Sequence, residues 1–395
     1  WTTLGIFKRY LRLMAKWRQF SYSWLEHMPT KLLSMFLGDP SDINYFAWKG
    51  ADVVASNPDF TLAGEDDFRV IPNEYLIARS WFSKPTQATF YLTDQCNLKC
   101  GWCLRQGDMA SVSPATPFDA TIVDEVLQRF PTISAVCLCG FGEPLMHPNL
   151  SSIIDRCVGR GLWTGLITNG VLLKDALPML VQHRPSSISV SLNAASRIEH
   201  EKECGVPGAW EKVMDGFAMI RQYRESLQSL SSTDCGIPIF LSRVCTADNL
   251  DGIPAFLKLA ERLGVIQGID LHGVLPHNVG TPEKEAEFLQ RVLTVKHREQ
   301  IDAMRKLPGA RLVRSWPILI DLDAPARRCN YPFNSIAIDG NRNVSICNSV
   351  MPPAPENGNL RDAKVWHSDY CEKMRMMFAE KELPVWCRLC FRNYV

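Results

Sequence analysis

The chain has 395 residues, of which 46% are hydrophobic and 22% charged, and its formal net charge is +1. That balance excludes a disordered chain and a protein drawn to nucleic acid by its bulk charge. The length suits one sizeable core with appendages, and no apolar run reaches the roughly 18 residues of a transmembrane segment.

Residues 1–86 read as an N-terminal helical and loop extension. Over 4–26, apolar and aromatic side chains such as Phe7, Leu11, Trp17 and Trp24 recur at helical spacing, with Lys8, Arg9, Arg12, Lys16 and Arg18 between them. Such a helix packs on its own domain with its cations in water, the favoured reading, or rests on an anionic membrane as a peripheral contact. The stretch 37–75, rich in Gly, Asp, Asn and Pro, reads as loops and lacks the strand-and-helix pattern of a leader-peptide-binding module.

From 87 to 307 the pattern repeats strand then helix. Short apolar or β-branched runs predict strands at 88–93, 133–139, 163–168, 187–192, 237–245 and 266–274. Helices fall between them near 117–129, 149–160, 173–182, 209–226 and 250–263. Six such units imply an α/β fold, a parallel sheet with helices outside.

Directly after the first strand comes Asp94-Gln-Cys96-Asn-Leu-Lys-Cys100-Gly-Trp-Cys103, a C-x3-C-x2-C triplet. Three thiolates can hold three irons of a 4Fe–4S cube and leave the fourth open. Zinc is the weaker reading, because no His and only Asp94 lies nearby to complete its ligand set. Forty residues on, Cys139-Gly-Phe-Gly-Glu-Pro144 follows a strand of its own. Gly140 and Gly142 let a strand end approach a ligand, and the Glu143 carboxylate can pair with an ammonium.

The triplet and this glycine-rich Glu-Pro string resemble the radical S-adenosylmethionine (SAM) superfamily. The resemblance implies a partial (β/α)6 TIM-like barrel with sites at the carboxyl ends of its strands. It implies an open iron that chelates SAM and cleaves it by reduction to a 5′-deoxyadenosyl radical. It makes Cys96, Cys100 and Cys103 the cluster ligands and brings Gly140, Gly142 and Glu143 to the amino group of SAM. Asn169, Ser191 and Asn193 become candidates for its ribose and methionine ends, and Arg243 for its carboxylate. Cys204, read as lying in a loop after the fourth strand, is a candidate hydrogen-atom donor. Cys137, Cys139 and Cys157 read as core, and Cys235 and Cys245 as weaker donor candidates.

Residues 308–395 carry a second set, Cys329, Cys347, Cys387 and Cys390. Two alternating strands flank a turn at Asp339-Gly-Asn341, and a helix at about 366–380 precedes the closing Cys387-Arg-Leu-Cys390. Hairpin, helix and cysteines, with Gly358-Asn-Leu360 and Trp366, resemble the twitch or SPASM-type auxiliary domain of that superfamily. Four thiolates would fully ligate a second 4Fe–4S cluster, and structural zinc is the alternative. Cys371 reads as a packing residue.

The expectation is therefore a radical SAM enzyme, an oxidoreductase or isomerase, that takes a hydrogen atom from a small natural-product precursor of sugar or aminocyclitol type. Alternatives are a maturase of a ribosomal peptide and a zinc-stapled scaffold without catalysis. A flavodoxin- or ferredoxin-type electron donor is the expected partner. With several of the 14 cysteines in metal-suited pairs and no signal-peptide pattern at the start, a reducing cytoplasm is the expected location.

Overall fold

A computed structural model describes residues 84–101, 103, 116–229, 236–276, 281–323, 329, 331–347, 353–380 and 383–390. The basic aromatic helix expected over 4–26, the loops expected over 37–75 and Cys235 lie outside the described residues.

Strands β1 (Gln87–Tyr91), β2 (Ala135–Cys139), β3 (Trp163–Thr168), β4 (Ser187–Ser191), β5 (Ile239–Cys245) and β6 (Gly268–Gly273) run parallel and pair in chain order. Their connections carry α1 (Thr121–Arg129), α2 (Leu150–Gly159), α3 (Leu173–His183), α4 (Arg197–Cys204), α5 (Ala209–Ser229) and α6 (Ile253–Leu263). Each expected strand and helix in this region is present, with ends shifted by a few residues. The strands read as apolar because alternate positions line up across the sheet. Ile338, Phe90, Leu138, Leu166, Ile188 and Ile239 form one in-register row over six strands, each at most 1% exposed. Full burial of such a side chain contributes roughly 1.5–3 kcal/mol, so the row fixes register firmly. Cys137 and Cys139 have the opposite parity and are half-buried on the other face. They are not in the core as expected, whereas Cys157 is fully buried.

Helix α4 was not expected. Of its residues only His200 and Cys204 are buried, so it has no apolar stripe to read. Its signal is at the ends: Ser196 accepts the N–H of Glu199 and donates to the Glu199 carboxylate, and Gly205 closes the helix at φ +66°.

Beyond α7 (Pro282–Arg291) and α8 (Arg298–Met304), β7 (Val313–Ser315) pairs with β6. After the short helix α9 (Tyr331–Asn334), β8 (Ser335–Asp339) returns to the opposite edge and lies parallel to β1, from Gln87↔Ser335 to Tyr91↔Asp339. Antiparallel β9 (Asn343–Ser345) and β10 (Ala354–Asn359) extend that edge, and α10 (Asp369–Glu380) and α11 (Val385–Arg388) end the described tail. The order is β10-β9-β8-β1-β2-β3-β4-β5-β6-β7, a mixed sheet of ten strands. Pro85–Val395 form one compact unit. The reason is the ladder of β8 on β1, which makes the tail part of the sheet. Among the described residues no helix is long and apolar enough to cross a membrane.

The expected hairpin turn is a docking point. Asp339 accepts the N–H groups of Asn341 and Asn343, and Arg342 makes two hydrogen bonds to Glu125 of α1, at 2.6 and 2.5 Å. A Cβ on Gly340 would lie 1.7 Å from the carbonyl oxygen of Thr116, a backbone atom rather than the end of a flexible side chain. Gly340→Ala should therefore cost about 1–3 kcal/mol in thermal unfolding. Gly159→Ala, where a Cβ meets nothing within 4 Å, should be neutral or slightly stabilising.

Candidate functional site

The cysteine loop leaves β1 at Tyr91 and runs against the end of β2. Gly142 donates its N–H to the carbonyl of Thr93 at 2.9 Å, and Glu143 donates to that of Gln95 at 2.7 Å. A Cβ on Gly142 would sit 2.1 Å from the Gln95 carbonyl oxygen, and one on Gly140 would sit 2.9 Å from that of Thr93. Both glycines are thus required by the approach of the cysteine loop itself, a role nearer to hand than the ligand approach expected from sequence.

Glu143 is 2% exposed, with Oε1 accepting from Thr168 Oγ1 at 2.6 Å and Leu145 N–H at 3.0 Å. Its Oε2 accepts from the N–H of Asn169 at 2.7 Å. Burial pushes its pKa up, while these three hydrogen bonds pull it back. The carboxylate thereby ties the end of β2 to the end of β3. Asn169, fixed at its backbone, donates from Nδ2 to Asn97 Oδ1 at 2.7 Å and reaches Cys96 Sγ at 3.8 Å. Leu98 N–H points at the same sulfur at 3.5 Å. Asn97 Nδ2 is buried beside it without a hydrogen-bond partner among the described residues.

Cys96, Cys100 and Cys103 are each half-buried on this loop. Burial, and then the neighbouring thiols of Cys103, Cys204 and Cys96, push the Cys100 thiol up to about 12. Among the described residues no three His, Cys, Asp or Glu side chains converge on a point that would hold one metal ion. Three thiols on one loop match the donor set of an iron–sulfur cube, in which each thiolate binds a different iron.

The other expected residues divide. Ser191 is half-buried at the end of β4. Asn193 Oδ1 accepts the N–H of Val244 at 2.9 Å, linking β4 to β5. Arg243 is turned to the connection before α6: its guanidinium donates to the carbonyls of Asn249 and Gly252 at 2.7 and 3.1 Å and lies over the Phe256 ring. Cys204 is the last residue of α4 rather than a loop residue, and is 3% exposed. Its thiol points to the carbonyls of Val206 and Glu201 at 3.7 and 4.0 Å, and burial raises its pKa.

In the tail, burial followed by the electrostatic influence of Cys347, Cys329 and Cys390 raises the pKa of the Cys387 thiol. Cys371 is buried and donates to the carbonyl of Val365 at 3.3 Å, a packing residue as expected. Sequence reasoning missed Tyr91. This residue is buried at the end of β1, and after burial the nearby thiols of Cys139, Cys347 and Cys137 push its phenol up. Replacing Glu143 with Gln puts an NH2 against the backbone N–H of either Leu145 or Asn169, and should cost about 1–3 kcal/mol in urea unfolding at neutral pH. Unchanged stability would contradict the role of the carboxylate in joining β2 to β3.

Residues 90–235 match the family model described as the radical SAM superfamily. A probable GTP 3′,8-cyclase of Saccharolobus islandicus is 32% identical over 187 residues, which is 46% of this chain and 56% of that protein. An AdoMet-dependent heme synthase of Nitratidesulfovibrio vulgaris is 26% identical over 180 residues, 44% of each chain. The chain therefore spans about half the length of the curated relatives it matches. Among solved structures, Streptococcus suis SuiB bound to its precursor peptide SuiA superposes with a TM-score of 0.54 at 12% identity, over 92% of this chain and 84% of that one.

Proposed function

We propose, on the premise that residues 90–235 form a domain of the radical SAM superfamily, that this protein is an enzyme that cleaves SAM by reduction and takes a hydrogen atom from a small organic substrate. One observation carries the reading: Cys96, Cys100 and Cys103 share a loop that Gly142, Glu143 and Asn169 hold at the ends of β1, β2 and β3. A 4Fe–4S cluster with one open iron supplies the binding point for SAM and the electron that breaks its sulfonium bond.

The residues of the chain then have definite tasks. Cys96, Cys100 and Cys103 are the ligands. Asn169 orients Cys96 and Asn97, and the buried Asn97 Nδ2 is a donor free to turn to a bound group. Glu143 keeps Asn169 in place from below. Ser191, at a neighbouring strand end, offers a hydroxyl to SAM. Arg243 and Asn193, engaged as they are, support the strand ends instead. In the tail, Cys329, Cys347, Cys387 and Cys390 hold a second cluster, and an electron donor of flavodoxin or ferredoxin type serves the first.

Relatives named for GTP and for heme support a small-molecule substrate, and within that class we favour a sugar or aminocyclitol that undergoes oxidation, epimerisation or rearrangement. A peptide substrate is the second reading, supported by the fold likeness to SuiB, which covers 92% of this chain. Anaerobic reconstitution followed by chromatography of 5′-deoxyadenosine, with small-molecule and peptide panels in parallel, separates the two. Only the true class should raise turnover above the substrate-free rate.

Two clusters require about eight irons per chain. Joint replacement of Cys96, Cys100 and Cys103 by Ala should remove about half of them and abolish 5′-deoxyadenosine; parental cleavage by that variant would sink the assignment. Replacing the four tail cysteines should remove the other half and leave SAM binding intact, whereas stoichiometric zinc in the parent with about four irons would overturn the second cluster.

A further inference from the structure

We propose that α4 is a clamp on the cysteine loop and that Gly205 is the positioning residue that sets where Cys100 sits; this rests on the cluster-binding reading of that loop. The last carbonyls of a helix have no partner within it. At the end of α4, that of Cys204 accepts the N–H of Lys99 at 2.8 Å and that of Glu203 accepts the N–H of Gly101 at 3.4 Å. The two bonds bracket Cys100. Gly205 ends the helix in the left-handed region, its N–H donating to the Glu201 carbonyl at 3.0 Å.

A Cβ there would lie 3.0 Å from the carbonyl oxygen of Lys99 and 3.3 Å from its Cβ. That carbonyl belongs to the peptide joining Lys99 to Cys100, so any yielding moves Cys100. The start of the loop cannot follow, because Thr93 and Gln95 are bonded to Gly142 and Glu143. A side chain at 205 would therefore shift Cys100 relative to Cys96 and not the loop as a whole.

The chain supplies its own control. Gly208 is also left-handed, at φ +76°, but a Cβ there meets nothing within 4 Å. Gly205→Ala and Gly208→Ala share the backbone strain, and only the first pushes on the loop. The test uses anaerobically reconstituted full chain, and reads the melting midpoint, the rate of iron loss to a chelator and the electron paramagnetic resonance spectrum of the reduced protein with and without SAM. Both variants should melt below the parent. Gly205→Ala alone should lose iron roughly tenfold faster, equivalent to about 1.4 kcal/mol, and show an altered SAM-responsive spectrum. Equal rates and spectra in the two variants would overturn the clamp.

If Gly205→Ala does not fold, Ser196→Ala loosens α4 from its far end without touching the loop, and should speed iron loss. A parental rate in that variant would equally overturn the proposal. A parent that takes up no SAM-responsive iron would overturn the cluster reading and the clamp with it, a failure distinguishable from the first.

Discussion

Two backbones meet at a distance that only glycine allows, and the site depends on that contact. The carbonyls of Thr93 and Gln95 receive the N–H groups of Gly142 and Glu143, and a Cβ on Gly142 would collide with both. The contact sets the cysteine loop across the end of β2. It also buries Glu143, whose carboxylate then finds its donors on β3. A buried carboxylate left without donors would be costly, so the loop, the glycines and the end of β3 stand or fall together.

The same logic links the tail to the site. β8 takes the open side of β1 with five residues in register, and the apolar row continues into it through Ile338. β1 therefore leads into the first cysteine set, and its neighbour opens the hairpin that carries Cys347. Tyr91, at the last step of β1, has both Cys139 and Cys347 among its close electrostatic neighbours. A displacement of the tail is a displacement of β1. Arg375 shows how firmly the tail is packed: it is 1% exposed, bonds the carbonyls of Pro332 and Trp366, and lies over the Trp366 ring. Such a buried guanidinium is tolerable because carbonyls and an aromatic face replace water.

Helix α4 belongs to the site by position and not by composition. Polar on nearly every face, it owes its place to caps and to the backbone of the loop that it touches. Its last residue is Cys204, whose thiol points to the carbonyls of Glu201 within the helix and of Val206 just beyond it.

The sequence by itself determined the strands and, apart from α4, the helices of 87–273, the loop that carries Cys96, Cys100 and Cys103, and the hairpin around Asp339-Gly340-Asn341. These are local: alternation, helical spacing, turn chemistry and ligand spacing lie within a few residues of each other. Only the tertiary structure decided that β8 pairs with β1, that Gly142 is needed by the cysteine loop, that Arg243 turns to the α6 connection and that Cys204 ends a helix. The first two depend on partners met across scores of residues, and the Arg243 contacts, though only six and nine residues away, are to backbone carbonyls; a backbone carbonyl or an open strand edge carries no residue-specific mark by which its partner can be read.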